Sequence, residues 1–404
     1  MKVCLYTHMF PDIENDMKKS KNPNTVSGHK FQANLVAGME EQLRDNVKVI
    51  NIPRIRAFPD YPQIVFTKKK WGKQPGENNT HIGYINLRPF NWITLAVNSY
   101  REITKWIREN KKEEKVIFTF NAMLPQLICL LLIKKIHHKV VICECIGDLH
   151  GRYGISKESG LMGKMRNFYG VLCDFLSKNF DCYALLTECM AKALKINNKP
   201  FVVVEGMYSE EPSGKNEVIG EERCIFYAGA IIRDYGIEHL LRAFSGIDGD
   251  YKLFLAGTGD AVEIVKKYSQ KDKRITYLGL LLPKEIKKYQ NKATVLINPR
   301  TSEKTFVKYS FPSKTMECLA SGKPYIAHKL PCDPPEYSKY IQYAESESDE
   351  SLKNKIVEIC SLSENERQRI GKEARRFILQ EKNPVMMTKH IITMWEKMLK
   401  IHYD

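Results

Sequence analysis

The run Ser310-Phe311-Pro312-Ser313-Lys314-Thr315-Met316-Glu317-Cys318-Leu319-Ala320-Ser321-Gly322-Lys323-Pro324 reads as a loop feeding a short helix that carries one acid and stops at a glycine and a proline. Pro312 removes a backbone N–H where a helix start does not use it, and Gly322 can take the left-handed conformation beyond a helix end. Upstream lies an apolar strand, Thr294-Val295-Leu296-Ile297, followed by Asn298-Pro299-Arg300. A strand, a basic loop and a helix start form an anion site, because unpaired amides and the helix dipole both favour a phosphate. Glu317 falls one turn into the helix on the side of Ser313, where its carboxylate can accept hydrogen bonds from the two hydroxyls of a ribose. The expectation is a nucleotide-sugar pocket.

Outward from that motif, strands and helices alternate along the whole chain. Val3–Tyr6, Val47–Ile52, Val116–Phe120, Val140–Cys145, Tyr183–Leu186 and Phe201–Val204 read as strands, with helical spacing over Phe31–Leu43, Ala96–Glu109, Pro125–Ile136 and Met165–Lys178. A second series starts at Cys224–Tyr227 and runs through helix Ile237–Ser245, strand Tyr251–Ala256, helix Ala261–Tyr268, strand Ile275–Leu278 and helix Lys284–Gln290 to the strand at Thr294. Such alternation predicts parallel sheets with helices on both faces. The polar stretch from Tyr208 to Glu217 interrupts it. The expected layout is an α/β chain of two Rossmann-like domains facing across a cleft: residues 1–207 on the acceptor side, a linker at 208–222, and 223–384 for the nucleotide sugar. Residues 385–404 are expected as a helix packing back on the first domain.

The chain has 404 residues, 43% apolar and 27% charged, as in ordinary globular proteins. Its net charge of +16 is unusual and points to a polyanionic partner: nucleic acid, anionic lipid or a phosphorylated substrate. A generally basic surface without a specific partner is the plainer alternative. Nucleic acid is the least expected, because the cations flank helix starts and no binding module is recognisable. Eleven cysteines include no Cys-x-x-Cys pair, which argues against a zinc ribbon and for a reducing cytosol. Met1–Tyr6 reads as a strand and not a signal peptide, and the longest apolar run, Leu124–Ile133, is too short to span a bilayer. A cytoplasmic protein is expected, with attachment to the inner face of the membrane as an option.

Other constellations are weaker. Pro11–Ser27 reads as a long polar loop ending before a helix, where Gly28 either lets a pyrophosphate approach the backbone or simply turns the chain. No Gly-x-Gly-x-x-Gly follows the first strand, which argues against a dinucleotide enzyme. In Gly147-Asp148-Leu149-His150, Asp148 either orients an acceptor hydroxyl or caps the next helix, and His150 either holds sugar hydroxyls and moves a proton or is solvated. These two are the candidate catalytic residues. Gly229 opens another strand–glycine–loop–helix unit in which Arg233 is the natural phosphate partner, or a surface charge beside Asp234. Arg300, Lys308 and Lys314 bracket the opening motif and suit a diphosphate leaving group. Lys68-Lys69-Lys70-Trp71 and the segment Lys164–Leu176 mix cations with apolar residues, as membrane-surface segments do. For the second of these a core-facing helix is the expectation.

Together these residues resemble a GT-B fold glycosyltransferase of family 4, in the branch found in bacterial surface-polysaccharide clusters. The resemblance is carried by the Gly28 loop, Gly147-Asp148-Leu149, Thr187-Glu188, Gly229 to Gly236, Asn298-Pro299-Arg300 and, most specifically, Ser310 to Pro324. It implies a retaining transferase with a nucleotide-diphosphate sugar donor and neither metal nor cofactor, because cations and helix ends balance the diphosphate. It implies that Glu317 binds the ribose and that Ser310, Phe311, Ser313 and Lys314 contact the donor through their backbone. Gly28 would approach the diphosphate, and Asp148, Leu149 and His150 would line the acceptor side. The acceptor implied is a glycan or lipid-linked saccharide, with an anionic membrane surface as a further partner. Two departures bear on donor identity. Tyr309 replaces the first Glu of the family's Glu-x7-Glu motif, and Ala230 and Tyr235 replace a basic pair. Phosphate binding then leans on Arg233, Arg300, Lys308 or Lys314. The same departures motivate a non-catalytic nucleotide- or glycan-binding scaffold, and a nucleotide-sugar epimerase is the remaining alternative.

Overall fold

Lys2–Thr7, rich in β-branched and aromatic residues, lies in the middle of an eight-stranded sheet. The computed structural model describes residues 1–21, 27–71, 79–149, 160–210 and 223–403. Contacts divide the chain into two units, Met1–Met207 with Pro384–Asp404, and Tyr208–Asn383.

In the first unit the strands run across the sheet as Phe201–Val203, Cys182–Leu185, Val140–Ile146, Lys115–Phe120, Lys2–Thr7, Val47–Asn51, Asn79–His81 and Lys69–Trp71. All neighbours are parallel except the last pair. Val140–Ile146 is buried at every position, as a strand covered on both faces must be. Its one charge, Glu144, is met by the Ala122 amide at 2.9 Å and by the Ser177 hydroxyl. One face of the sheet, with Val3, Leu5, Val116 and Phe118, packs on helices Ser27–Leu43 and Pro384–Tyr403. The other is covered by helices Phe90–Glu109, Leu124–Ile136 and Leu161–Ser177, tied to it by Tyr6 donating to Ser99 at 2.6 Å.

The Pro384–Tyr403 helix meets Ser27–Leu43 backbone to backbone: a Cβ on Gly38 would stand 2.3 Å from the Pro384 oxygen. Gln42 donates to the Val385 carbonyl (3.0 Å) and to Thr388 Oγ1 (2.7 Å) across the same contact. Trp395, fully buried, sets its ring edge-on to Phe118 at 5.5 Å.

The second unit has a six-stranded parallel sheet in the order Ile275–Gly279, Lys252–Ala256, Cys224–Ala228, Val295–Asn298, Tyr325–Ala327 and Gln342–Tyr343. In both sheets the first strand of the unit lies at the centre. Chain order reverses beside it, between Lys2–Thr7 and Lys115–Phe120 and between Cys224–Ala228 and Val295–Asn298. Ligands of such sheets bind at the carboxyl ends of the strands where that reversal occurs.

The expected loop from Pro11 to Ser27 contains a helix instead, Ile13–Lys19. Asp12 caps it by accepting from the Asn15 amide, and its buried Asp16 accepts from Tyr61, a partner no local pattern reveals. The helices Asp349–Ser361 and Glu364–Glu381 lie outside the sequence-predicted set, although Ser363 and Glu366 form a capping box. Trp71 is no membrane-surface residue: its ring stacks on His81 and packs against the first core. Among the described residues no helix is long and apolar enough to cross a membrane.

Replacing Trp395 by Ala should lower stability by about 3–5 kcal/mol, the usual cost of deleting a buried aromatic. Urea unfolding followed by circular dichroism measures it, and an unchanged midpoint would show that the last helix adds nothing to the first core.

Candidate functional site

At the carboxyl edge of the second sheet, two loops are held together by missing side chains. Cys224–Ala228 leads into Gly229, a short turn Arg233–Tyr235 and then Gly236 in the left-handed region, φ 77°. A Cβ on Gly236 would stand 2.1 Å from the Pro299 oxygen, so only glycine permits this approach. The loop after the first strand is thereby drawn onto the loop after Val295–Asn298. Asp234 and Lys304 add an ion pair at 3.0 Å between them, exposed enough to be worth little.

Arg300 sits at this junction. Only 6% exposed, it places its guanidinium carbon 4.1 Å from the Tyr235 ring centre and 5.4 Å from that of Phe306. Its amide donates to Asn298 Oδ1 at 3.3 Å, but its buried Nη1 has no hydrogen-bond partner. A desolvated, unpartnered cationic donor is unfavourable unless an anion completes it. Arg233, by contrast, is exposed, and its amide donates to Asp260 Oδ1 at 3.0 Å.

The sequence motif follows. Lys308 is exposed and Tyr309 half-buried at the end of a single turn, Thr305–Tyr309. Ser310 accepts a long bond from Cys332 Sγ, 3.6 Å. The Phe311 side chain packs against Tyr337 in the core, which leaves its backbone for a ligand. The helix Ser313–Ala320 begins at exposed Ser313 with no side-chain cap, so amides of its first turn are left for an outside acceptor. Glu317 stays out of the packed interior, 44% exposed, with Oε2 2.5 Å from Lys314 Nζ.

Beyond strand Tyr325–Ala327 lies a cluster that local sequence patterns do not reveal. His239 Nδ1 bonds to Asp349, and His239 Nε2 lies 2.9 Å from His328 Nε2. Burial, then the neighbouring His239, hold His328 down to about 4.

The carboxyl edge of the first sheet is built differently. Gly28 lies inside the helix Ser27–Leu43 and not in a loop before it, and the room its missing Cβ leaves is taken by Arg54, whose Nη2 would be 3.0 Å from that Cβ. His8 is buried and exchanges backbone bonds with the Gln32 amide at 2.9 and 3.0 Å. Its Nδ1 has no hydrogen-bond partner. Burial, reinforced by Arg54, holds it down to about 3. Asn121, in a left-handed conformation, accepts from the amides of Gly147 (2.7 Å) and Asp148 (3.3 Å) and so fixes the end of Val140–Ile146. Asp148 is exposed; burial holds the Arg54 guanidinium below its ordinary value, and nearby Asp148 offsets part of this. His150 lies outside the described residues. Arg54 and His8 escaped the sequence reading; their one signal is position just after the strands Val47–Asn51 and Lys2–Thr7.

Residues 209–377 match the family model described as glycosyl transferases group 1. No curated protein is similar enough in sequence to match the chain. Sucrose-phosphate synthase from Thermosynechococcus elongatus aligns with a TM-score of 0.62 at 14% identity, over 99% of this chain and 100% of that one. The lipopolysaccharide outer core galactosyltransferase WaaB gives 0.59 at 12% identity, covering 98% and 99%. HepE from Anabaena, in complex with UDP, gives 0.56 at 13%, covering 98% and 100%. The fold is that of GT-B glycosyltransferases, with two Rossmann-like domains.

In an unfolded chain His8 would take its proton near its ordinary value of 6.5, whereas in the native protein it resists to about 3. The unfolded state then binds more protons across that interval, so this contribution is complete above the upper value and is lost as pH falls towards the lower one. His8→Gln should flatten the acid limb of a stability profile by up to about 1.4 kcal/mol per pH unit. Urea unfolding at several pH values reads this directly, and an unaltered slope would mean that the imidazole is solvated.

Proposed function

We propose that the protein is a retaining, metal-independent glycosyltransferase that moves a sugar from a nucleoside-diphosphate donor to a lipid-linked glycan in surface-polysaccharide synthesis, at the inner face of the membrane. The match of residues 209–377 and the fold support a glycosyltransferase. The observation that carries the reading further is Arg300, a buried guanidinium with an unfilled donor at the point where the second sheet reverses its strand order.

On this reading the residues take the following roles. The donor diphosphate fills Arg300 Nη1 and is helped by Lys308, Lys314 and the uncapped amides of the Ser313–Ala320 helix. Negative charge grows on the diphosphate as the sugar leaves, and a fixed cation already out of water stabilises that charge without reorganising. Glu317 exchanges its Lys314 partner for the ribose hydroxyls. Tyr235, in a position where the family pattern has a cation, holds Arg300 by stacking and so keeps a positive charge at the phosphates. Asp148 and His150 act on the acceptor side, and Tyr309 adjusts which donor sugar is accepted. Rate enhancement comes mainly from holding the leaving group and acceptor hydroxyl in register.

Thermal-shift screening with UDP-, GDP-, ADP- and dTDP-sugars should find one donor that raises the melting temperature, because it binds only the native state. With that donor, Arg300→Ala should lower kcat/KM by about 100- to 1000-fold, and Arg300→Lys should not restore it because the planar fork is lost. Glu317→Ala should raise the donor KM by about 10- to 100-fold, as for a lost bond to a charged group. Unaltered turnover in either alanine variant would remove that residue's role. A donor that shifts the melt but never releases free nucleotide would turn the reading towards a binding scaffold.

A further inference from the structure

The three helices that cover one face of the first sheet present apolar side chains outward as well as inward. On Leu124–Ile136 the outer stripe is Ile128, Leu132 and Ile136, spaced by four residues. On Phe90–Glu109 it is Phe90, Ile93 and Val97. On Leu161–Ser177, expected from sequence to face the core, Phe168 is 71% and Phe175 64% exposed, while Cys173 and Asp174 point inward. The helices are knitted side by side. Trp92 and Tyr169 rings lie 6.1 Å apart, and the Leu124 amide donates to the Tyr169 hydroxyl at 3.2 Å. Outer apolar stripes on helices packed side by side place exposed apolar residues together on one side of the unit, unlike singly scattered ones.

Most of the charges around this face are positive. Across residues 86–97, 123–139 and 160–178 the one carboxylate is Asp174, which is buried. The exposed cations there include Arg88, Lys135, Lys139, Lys164 and Arg166. Carboxylates return further along the first helix at Glu102, where Lys68 pairs with it at 2.5 Å. A second copy of this chain is a poor occupant, because a self-complementary interface would bring like charges together. A bilayer with anionic headgroups fits both features: it takes the apolar side chains at the headgroup boundary and neutralises the basic rim.

We propose that the outer face of helices Phe90–Glu109, Leu124–Ile136 and Leu161–Ser177 is a docking surface for an anionic membrane. The helices begin at the carboxyl edge of the first sheet, the edge that carries Asn121 and Asp148. Docking there brings that edge to the headgroup layer, where a lipid-carried acceptor would be found. The attachment does not require the donor assignment and can fail separately from it.

The test is cosedimentation of the full chain with phosphatidylcholine vesicles and with vesicles that also contain phosphatidylglycerol. Binding should favour the anionic vesicles and weaken as salt is raised. Phe168→Glu combined with Phe175→Glu should reduce partitioning at least about tenfold. The melting temperature and any donor-induced thermal shift should stay unchanged. Lys164→Glu with Arg166→Glu, which leaves the apolar stripe intact, should reduce both the binding and its salt dependence. Absence of binding, equal binding to neutral and anionic vesicles, or undiminished binding of the phenylalanine variant would overturn the proposal. So would a dimer in sedimentation velocity that the phenylalanine variant dissolves.

Discussion

A backbone contact sets the geometry of the second unit's carboxyl edge. The Pro299 carbonyl lies where a side chain on Gly236 would have to be, and the left-handed conformation at Gly236 allows it. Because the two loops touch at main-chain distance, the next residue after Pro299 is brought over the ring just before Gly236. Arg300 and Tyr235 stack for that reason, and Phe306 closes the arrangement. A single substitution with any side chain at Gly236 would push the loops apart and release the cation into solvent, where it is hydrated and less effective. Gly257 and Gly259 repeat the device behind it, packed against the carbonyls of Gly229 and Ile231.

The two sheet edges treat charge in opposite ways. In the second unit one guanidinium is dry, held by aromatic rings and left with an empty donor. In the first unit Arg54 has Asp148 near it, and the imidazoles of His8 and His29 are kept neutral mainly by burial. The histidines of that edge offer lone pairs as well as N–H groups.

Much of the architecture was legible because parallel strands are long apolar runs bounded by helices of clear period. Ile237–Ser245 was bounded correctly from its pattern alone, and most strands to within a residue or two. The helix Ile13–Lys19 was missed because its stability depends on Tyr61, far along the chain. The site was legible where it is local: a strand, Asn298-Pro299-Arg300, and a helix carrying Glu317. It was not legible where residues meet across many positions, as with Arg300 and Tyr235 or His239 and His328. The Leu161–Ser177 helix shows another limit. Its apolar spacing is the same whether the stripe points to a core or outward, and only packing against the sheet decides which residues remain outside.

The closing helix, Pro384–Tyr403, belongs to the first unit although the whole second unit is translated before it. The Tyr208–Asn383 segment is one uninterrupted stretch of chain, whereas the first unit is completed only by residues made after it. The amino-terminal sheet, although made earlier, waits with the groove beside Gly38 and Phe118 unfilled until Trp395 arrives. A chain ending near residue 383 would therefore leave this hydrophobic face of its first sheet without its cover.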